Sequence, residues 1–273
     1  MDVSLTVEQS DIARVIQITD THLFGADDGS LLSVNTAESF LSVVDAVQSQ
    51  PFAFDAILAT GDISQDHSEE SYLRFVEGIK PLNRPCFWLP GNHDYKPGMN
   101  SVLPNQQVSQ PGHLMLGEHW QVIFLDSQVA GVPHGQLSDA QLALLSQKLQ
   151  DNPQRHTLVL LHHNPLLVGS AWLDQHCLKE RERFWDVISQ FNNVRAVVCG
   201  HVHQDSQRLY QGVEVMTTPS TCIQFKPDSD EFALDQLSPG WREIELHSDG
   251  RVVTRVNRLN NGLFLPDFTS TGY

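Results

Sequence analysis

Long apolar runs are missing from this 273-residue chain. Segments such as Ala56-Ile57-Leu58-Ala59 and Leu158-Val159-Leu160-Leu161 fall far short of the ~18 residues that cross a bilayer, so no membrane span is expected. Basic residues are few: 17 Lys plus Arg stand against 33 Asp plus Glu, a net charge of −16. That balance disfavours nucleic acid and anionic membranes as partners. The amino-terminal Met1-Asp2-Val3-Ser4-Leu5 has no basic region ahead of an apolar stretch, so no export signal is expected and the expected compartment is the cytoplasm. Cysteine is sparse, and Cys86, Cys177, Cys199 and Cys222 lie far apart with no CxxC pair. They read as reduced thiols rather than disulfides or a thiolate metal site. The GxSxG, GxxxxGKS/T and GxGxxG signatures are also absent, which removes the usual support for a serine hydrolase, a P-loop NTPase or a dinucleotide oxidoreductase.

What is present is a globular composition, 40% hydrophobic and 18% charged, sized for a single domain spanning residues 1–273. Short β-branched runs recur at Val15–Ile18, Asp55–Ala59, Cys86–Leu89, Val122–Leu125, Thr157–Leu161 and Val194–Cys199. Helical patterns lie between them, over Thr36–Gln48, Ser138–Leu149 with Ser138 as N-cap, and Glu180–Phe191. This alternation is an α/β signature. Late in the chain strand follows strand: Val213–Thr217, Trp241–Leu246, a Ser248-Asp249-Gly250 turn and Val252–Val256, a hairpin that makes the sheet system mixed. Residues 204–273 are expected to supply C-terminal strands and a rim. The segments Pro97–Gly112 and Phe225–Gly240 read as irregular and as candidate rims of a site.

Histidine is abundant, with 13 residues, and its spacing carries the chemistry. Five apolar runs each end in metal-competent side chains: Asp20-Thr21-His22, Gly61-Asp62, Gly91-Asn92-His93-Asp94, His162-His163 and Gly200-His201-Val202-His203. Ligands of open α/β sheets bind beyond the carboxyl ends of strands, so these groups are expected to converge. If those ends are extended, Asp20 with His22 and His201 with His203 each present two groups in one direction, whereas His162 and His163 point apart. Gly61, Gly91 and Gly200, each just before a ligand, let backbone approach backbone. The donors Asp20, His22, Asp62, Asn92, His162, His201 and His203 are nitrogen and oxygen without thiolate. That set suits Fe or Mn, with Zn, Co or Mg compatible, and it is large enough for two ions sharing a carboxylate about 3.5–4 Å apart.

The ordered motifs DxH, GD, GNHD, HH and GHxH resemble the calcineurin-like metallophosphoesterase superfamily. The wider match at Leu89–Asp94, Ser127–Gly135 and Thr218–Pro227 is similar to the bacterial class III 3′,5′-cyclic-AMP phosphodiesterases. The resemblance implies a four-layer α/β/β/α sandwich of two mixed sheets flanked by helices. It implies that Asp20, His22, Asp62 and His203 hold one divalent ion and Asp62, Asn92, His162 and His201 the other, with Asp62 bridging. It implies His93 as the catalytic residue that is not a ligand, and His22, Asp62, Asn92, His93, His162 and His203 as substrate contacts. The expected reaction is hydrolysis of cyclic AMP to 5′-AMP by in-line attack of a metal-bridging hydroxide, with His93 protonating the leaving oxygen. The segment after Gly61-Asp62 carries no arginine, unlike the protein phosphatases of that superfamily.

Other readings stand beside this one. The same metal chemistry serves broader phosphodiesterases, phosphomonoesterases and glycerophosphodiesterases, and a catalytically silent nucleotide-binding protein would need the metals but not His93. Asn92 alone would serve as a helix cap, and His163 as a supporting or rim residue. Asp66 and Asp94 are alternatives for orienting His93. His67, His113, His119, His134, His156, His176 and His247 read as surface or rim residues. Tryptophans usually pack cores, yet Trp172, in the loop after the double histidine, is a candidate to stack on a base. A monomer and a homodimer are both open, with Glu180–Phe191 and Leu263–Tyr273 free to dock on the domain or on a second subunit.

Overall fold

The computed structural model describes residues 2–272. Two mixed sheets carry the fold. One has seven strands in the order Asp2–Leu5, His113–Leu116, Trp120–Leu125, His156–Leu161, Val194–Cys199, Val213–Thr217 and Ser206–Tyr210. Trp120–Leu125 through Val213–Thr217 run parallel, and Ser206–Tyr210 closes one edge antiparallel. The second has six, in the order Val252–Arg258, Gly240–His247, Ile12–Ile18, Ala56–Ala59, Cys86–Trp88 and Val108–Ser109. Its first two strands form the expected antiparallel hairpin, and Gly240–His247 also runs antiparallel to Ile12–Ile18.

Strand periodicity builds the layers. Successive residues face opposite sides of a sheet. Val15, Leu58 and Phe87 therefore meet Val122, Leu158 and Val198 between the sheets, while their neighbours Ile16, Ile57 and Trp88 pack outward against Phe40, Val43 and Phe75. Those last three come from the helices Thr36–Ser49 and Glu69–Ile79. On the far side Ile123, Val159 and Val197 pack against Leu142, Leu145 and Phe184, from the helices Asp139–Asp151 and Arg181–Ile188. The result is the expected helix, sheet, sheet, helix order. Central parallel strands are covered on both faces, which is why they read as continuous apolar runs.

Local chemistry explains most boundaries. The Asn35 side chain accepts from the Glu38 N–H and Ser138 Oγ accepts from the Gln141 N–H, each satisfying a first-turn donor. The helix expected over Glu180–Phe191 is shorter, Arg181–Ile188. Its last turn tightens where the Phe191 N–H reaches the Ile188 carbonyl, and polar Asn192-Asn193 follow. Pro97–Gly112 is not irregular: Lys96–Val102 is a helix with Pro97 in its first turn, where a missing N–H costs nothing, and Val108–Ser109 is an edge strand. Met99, Leu103 and Val108 are buried there, so this segment packs the core rather than rimming a site.

The four cysteines are free and buried. His113, expected at the surface, is buried, with its Nε2 2.8 Å from Gln121 Oε1 across a hairpin. The C-terminal stretch lies on its own chain, where the Asp267 N–H donates to the Leu32 carbonyl; Tyr273 lies outside the described residues. Among the described residues no helix is long and apolar enough to cross a membrane.

Candidate metal centre

The strands Ile12–Ile18, Ala56–Ala59, Cys86–Trp88, His156–Leu161 and Val194–Cys199 all deliver their carboxyl ends to one edge of the sandwich. All seven expected ligands meet there. Asp20, His22, Asp62, His162, His201 and His203 are buried and Asn92 is half-buried. Ligand atoms of Asp20, His22 and His203 lie within 4.8 Å of one another, as do those of Asp20, Asp62 and His162, and those of His162, His163 and His201. Asp62 Oδ2 is 3.2 Å from His162 Nε2 and 3.9 Å from His22 Nε2, so one carboxylate faces both groups. His162 Nε2 also lies 3.2 Å from Asn92 Oδ1, while the next helix begins only at Lys96 with Tyr95 at its cap position. Asn92 therefore faces the site instead of capping a helix.

The imidazoles are prepared as ligands by what holds their other nitrogen. His22 Nδ1 lies 2.7 Å from Gln65 Oε1, His162 Nδ1 2.7 Å from the Thr60 carbonyl, and His203 Nδ1 2.9 Å from the Ile223 carbonyl. An Nδ1–H donated to oxygen leaves the Nε2 lone pair for a cation. His201 Nε2 is buried without a hydrogen-bond partner. Burial, with the His93 and His203 rings, lowers His22 to about 3. Burial, with His163 and His162, holds His201 well below the usual imidazole range. Both rings are therefore neutral, the form that ligates. Burial also pulls His162 down, but the Asp62 carboxylate overrides it and raises the ring to about 9. Burial raises Asp62 itself, and His162, His93 and His22 together outweigh this and hold it well below the carboxylate range. Convergent carboxylates and Nε2 atoms without thiolate fit divalent cations.

The chain reaches these positions through strained backbone. Asp20, His22, Asp62, His201 and His203 have φ of 54°, 46°, 49°, 70° and 49°, the left-handed region that costs L-residues roughly 1–2 kcal/mol each. The extended geometry expected for the DxH and HxH pairs is therefore not adopted. His203 joins Asp20 and His22, whereas His201 joins His162 and His163, so the HxH pair splits between two clusters. Gly91 is required by close approach, because a Cβ there would lie 2.1 Å from Asp62 Oδ1. At Gly61, with φ of +96°, a Cβ would lie 2.6 Å from His162 Nδ1.

His93 sits half-buried beside the ligands. Its backbone N–H donates to Asp62 Oδ1 at 2.8 Å, and its ring meets His22 edge-on at 5.0 Å. Asp94 accepts from the N–H groups of Ile63, Ser64 and Gly91, and Asp66 from Gly25, Ser68 and the Ser64 hydroxyl. Both aspartates thus brace loops. A cavity of about 360 Å³ opens on Asp62, Asn92, His93 and His201 and continues past Pro133 and His176 to Trp172, Leu173, Phe225, Phe232 and Gly272. Phe225–Gly240 thus supplies part of the rim, as expected, and His176 is a rim residue. His163 is buried rather than at the rim, with Nδ1 2.8 Å from Ser127 Oγ.

Several functional residues escaped sequence reasoning. Gln17 is fully buried in a strand, with Nε2 donating to Thr60 Oγ1 and the Cys199 carbonyl; a polar residue inside an apolar run was a usable signal. Gln128 Nε2 donates to the Gly91 and Asp94 carbonyls, clamping the GNHD loop. Gln65 lies three residues beyond Asp62 and orients His22. Gln65→Ala is expected to lower metal affinity about 10–100-fold, the usual cost of losing such a partner. Titration against a competing chelator measures it, and a change below about twofold would remove Gln65 from this role.

The calcineurin-like phosphoesterase family profile matches residues 13–205. The chain is 61% identical over 260 residues, 95% of each chain, to a Vibrio vulnificus protein named 3′,5′-cyclic adenosine monophosphate phosphodiesterase CpdA. It is 49% identical over 260 residues to the Escherichia coli K12 protein of that name, covering 95% of this chain and 94% of the relative. Among solved structures, a dimetal phosphatase from Danio rerio shares the fold at TM-score 0.65 and 14% identity, over 91% of this chain and 99% of that one. The profile spans well over half of the chain, and the strand ends it covers supply every clustered ligand. The chain belongs to the calcineurin-like phosphoesterase family.

Proposed function

We propose that the protein is a metal-dependent phosphodiesterase that hydrolyses 3′,5′-cyclic AMP to 5′-AMP and so lowers cyclic AMP in the cell. The observation that carries the chemistry is the convergence of Asp20, Asp62 and three tethered imidazoles, beside a cavity that Asp62, Asn92, His93 and His201 line. The substrate rests on full-length similarity to relatives named for it. Asp20, His22, Asp62 and His203 would hold one divalent ion and Asp62, Asn92, His162 and His201 the other. Iron(II) or manganese(II) suits this nitrogen and oxygen set best. Bound there, such ions supply the Lewis acidity that activates water and offsets charge on the phosphoryl oxygens. Among the described residues no Lys or Arg lines the cavity.

The residues divide the remaining work. Asn92 and the histidines orient the phosphodiester, Asp62 sets the spacing of the two ligand groups, and His93 holds the proton that the 3′ oxygen takes as its bond to phosphorus breaks. Protein freed of metal and reconstituted with Mn or Fe is assayed on cyclic AMP, cyclic GMP, bis-p-nitrophenyl phosphate and p-nitrophenyl phosphate. Cyclic AMP is expected to give 5′-AMP with the highest kcat/KM, and chelation to abolish turnover. Flat progress curves on all four would overturn the enzymatic reading.

A further inference from the structure

The cavity above Asp62 and His93 has a second end of different chemistry. Trp172 reaches it from the loop after His163, and Phe225 and Phe232 from the segment after Cys222. Trp172 meets Phe225 at 4.9 Å and 84°, and Phe232 at 5.1 Å and 66°. Phe225 in turn lies flat on His203, at 4.3 Å and 14°, so the aromatic wall is seated directly on the ligand cluster. Ser170 Oγ donates to the Lys226 carbonyl at 3.5 Å and accepts from the Ser229 N–H at 3.4 Å, which knits the two loops together. The Trp172 indole Nε1 is buried and has no hydrogen-bond partner. Being buried, it is closed to the cavity, so what this wall offers a ligand is apolar ring, and a concave, largely apolar pocket end beside a polar one is the pattern of a small-molecule site.

Building on the cyclic-nucleotide reading above, we infer that Trp172, Phe225 and Phe232 form the aromatic wall that receives the purine base. A ligand anchored by its phosphate at the metal end places its base at this wall. Stacking on aromatic rings holds any base by its π face. The three rings stand at 84°, 66° and 66° to one another, so a flat base lies face-on to one while its edge meets the others, and a purine offers the larger face and the longer edge.

Wild type, Trp172→Ala and Trp172→Phe are compared on cyclic AMP and on methyl riboside 3′,5′-cyclic phosphate, the substrate without its base. Trp172→Ala is expected to raise KM for cyclic AMP about 10–100-fold, the range for loss of one base-stacking ring, with far smaller effects on kcat and on the base-free diester. Trp172→Phe is expected to recover part of the loss. Equal losses on the two substrates would make Trp172 structural and overturn the inference, as would an unchanged KM. Wild-type protein inert toward cyclic AMP would overturn the reading beneath it, whereas active wild type with a KM indifferent to Trp172 overturns the platform alone.

Discussion

Asp62→Asn is expected to lower turnover of cyclic AMP at least about 10³-fold and to cut the bound metal from two ions per chain to one or fewer. The size follows from several kcal/mol of lost charge stabilisation at 1.36 kcal/mol per tenfold. Asp62 is where the two ligand groups meet, facing His22 on one side and His162 on the other. It also organises the loop that carries His93, because Oδ1 accepts the His93 N–H. The amide keeps the shape and one oxygen but removes the negative charge, so a bridging role predicts loss of metal without loss of fold. Elemental analysis beside circular dichroism measures both. Two ions per chain with near-normal turnover in the variant would show that Asp62 does not bridge.

The acidic surface does not argue against an anionic substrate. The net charge of −16 is spread over the whole molecule, whereas two divalent ions would act within one buried cleft, where a local charge outweighs distant carboxylates. Long polyanions sample the whole surface, and the disfavour toward nucleic acid is unchanged.

The candidate site was legible because its candidate ligands are short motifs directly after strands, and strands announce themselves as β-branched runs. Val15–Ile18 leads to Asp20 and His22, and Val194–Cys199 to His201 and His203. What braces these ligands was hidden for a physical reason. Thr60 and Ile223 act through carbonyls that every residue possesses, and Gln65 acts through a common side chain. The left-handed φ values at five candidate ligands were not legible either, because Asp and His are enriched in that region only several-fold and are mostly found outside it. Together they cost roughly 5–10 kcal/mol, comparable to the net stability of a domain. The loops persist because they are bonded to one another: the Asp20 N–H to the Gly61 carbonyl, the His22 N–H to the Asp62 carbonyl, and the Gly200 N–H to the His162 carbonyl. The helix Lys96–Val102 was missed because Pro97 and Gly98 read as breakers, although proline is at home in a first turn. The helix Glu69–Ile79 hid its stripe of Tyr72, Phe75 and Ile79 among charged neighbours.

His93→Ala is expected to reduce kcat on cyclic AMP about 10²–10⁴-fold, the span usual for a positioned general acid, while leaving two metal ions per chain. His93 is half-buried, lines the cavity beside Asn92, and has a ring nitrogen within 4.8 Å of ligand atoms of His22 and Asp62, so a ligand role and a proton-transfer role both have to be tested. Its proposed task is to protonate the 3′ oxygen, a poor leaving group unless a proton arrives as the bond breaks. The deficit must therefore depend on the leaving group. On bis-p-nitrophenyl phosphate, whose nitrophenolate departs as a stable anion, the same variant should lose far less than on cyclic AMP. Metal analysis separates this from a ligand role, since a ligand's removal would strip an ion and slow both substrates. Equal losses on the two diesters with metal intact would assign His93 to binding the phosphoryl group, not to proton transfer. Turnover of cyclic AMP within a few-fold of wild type would remove it from the mechanism.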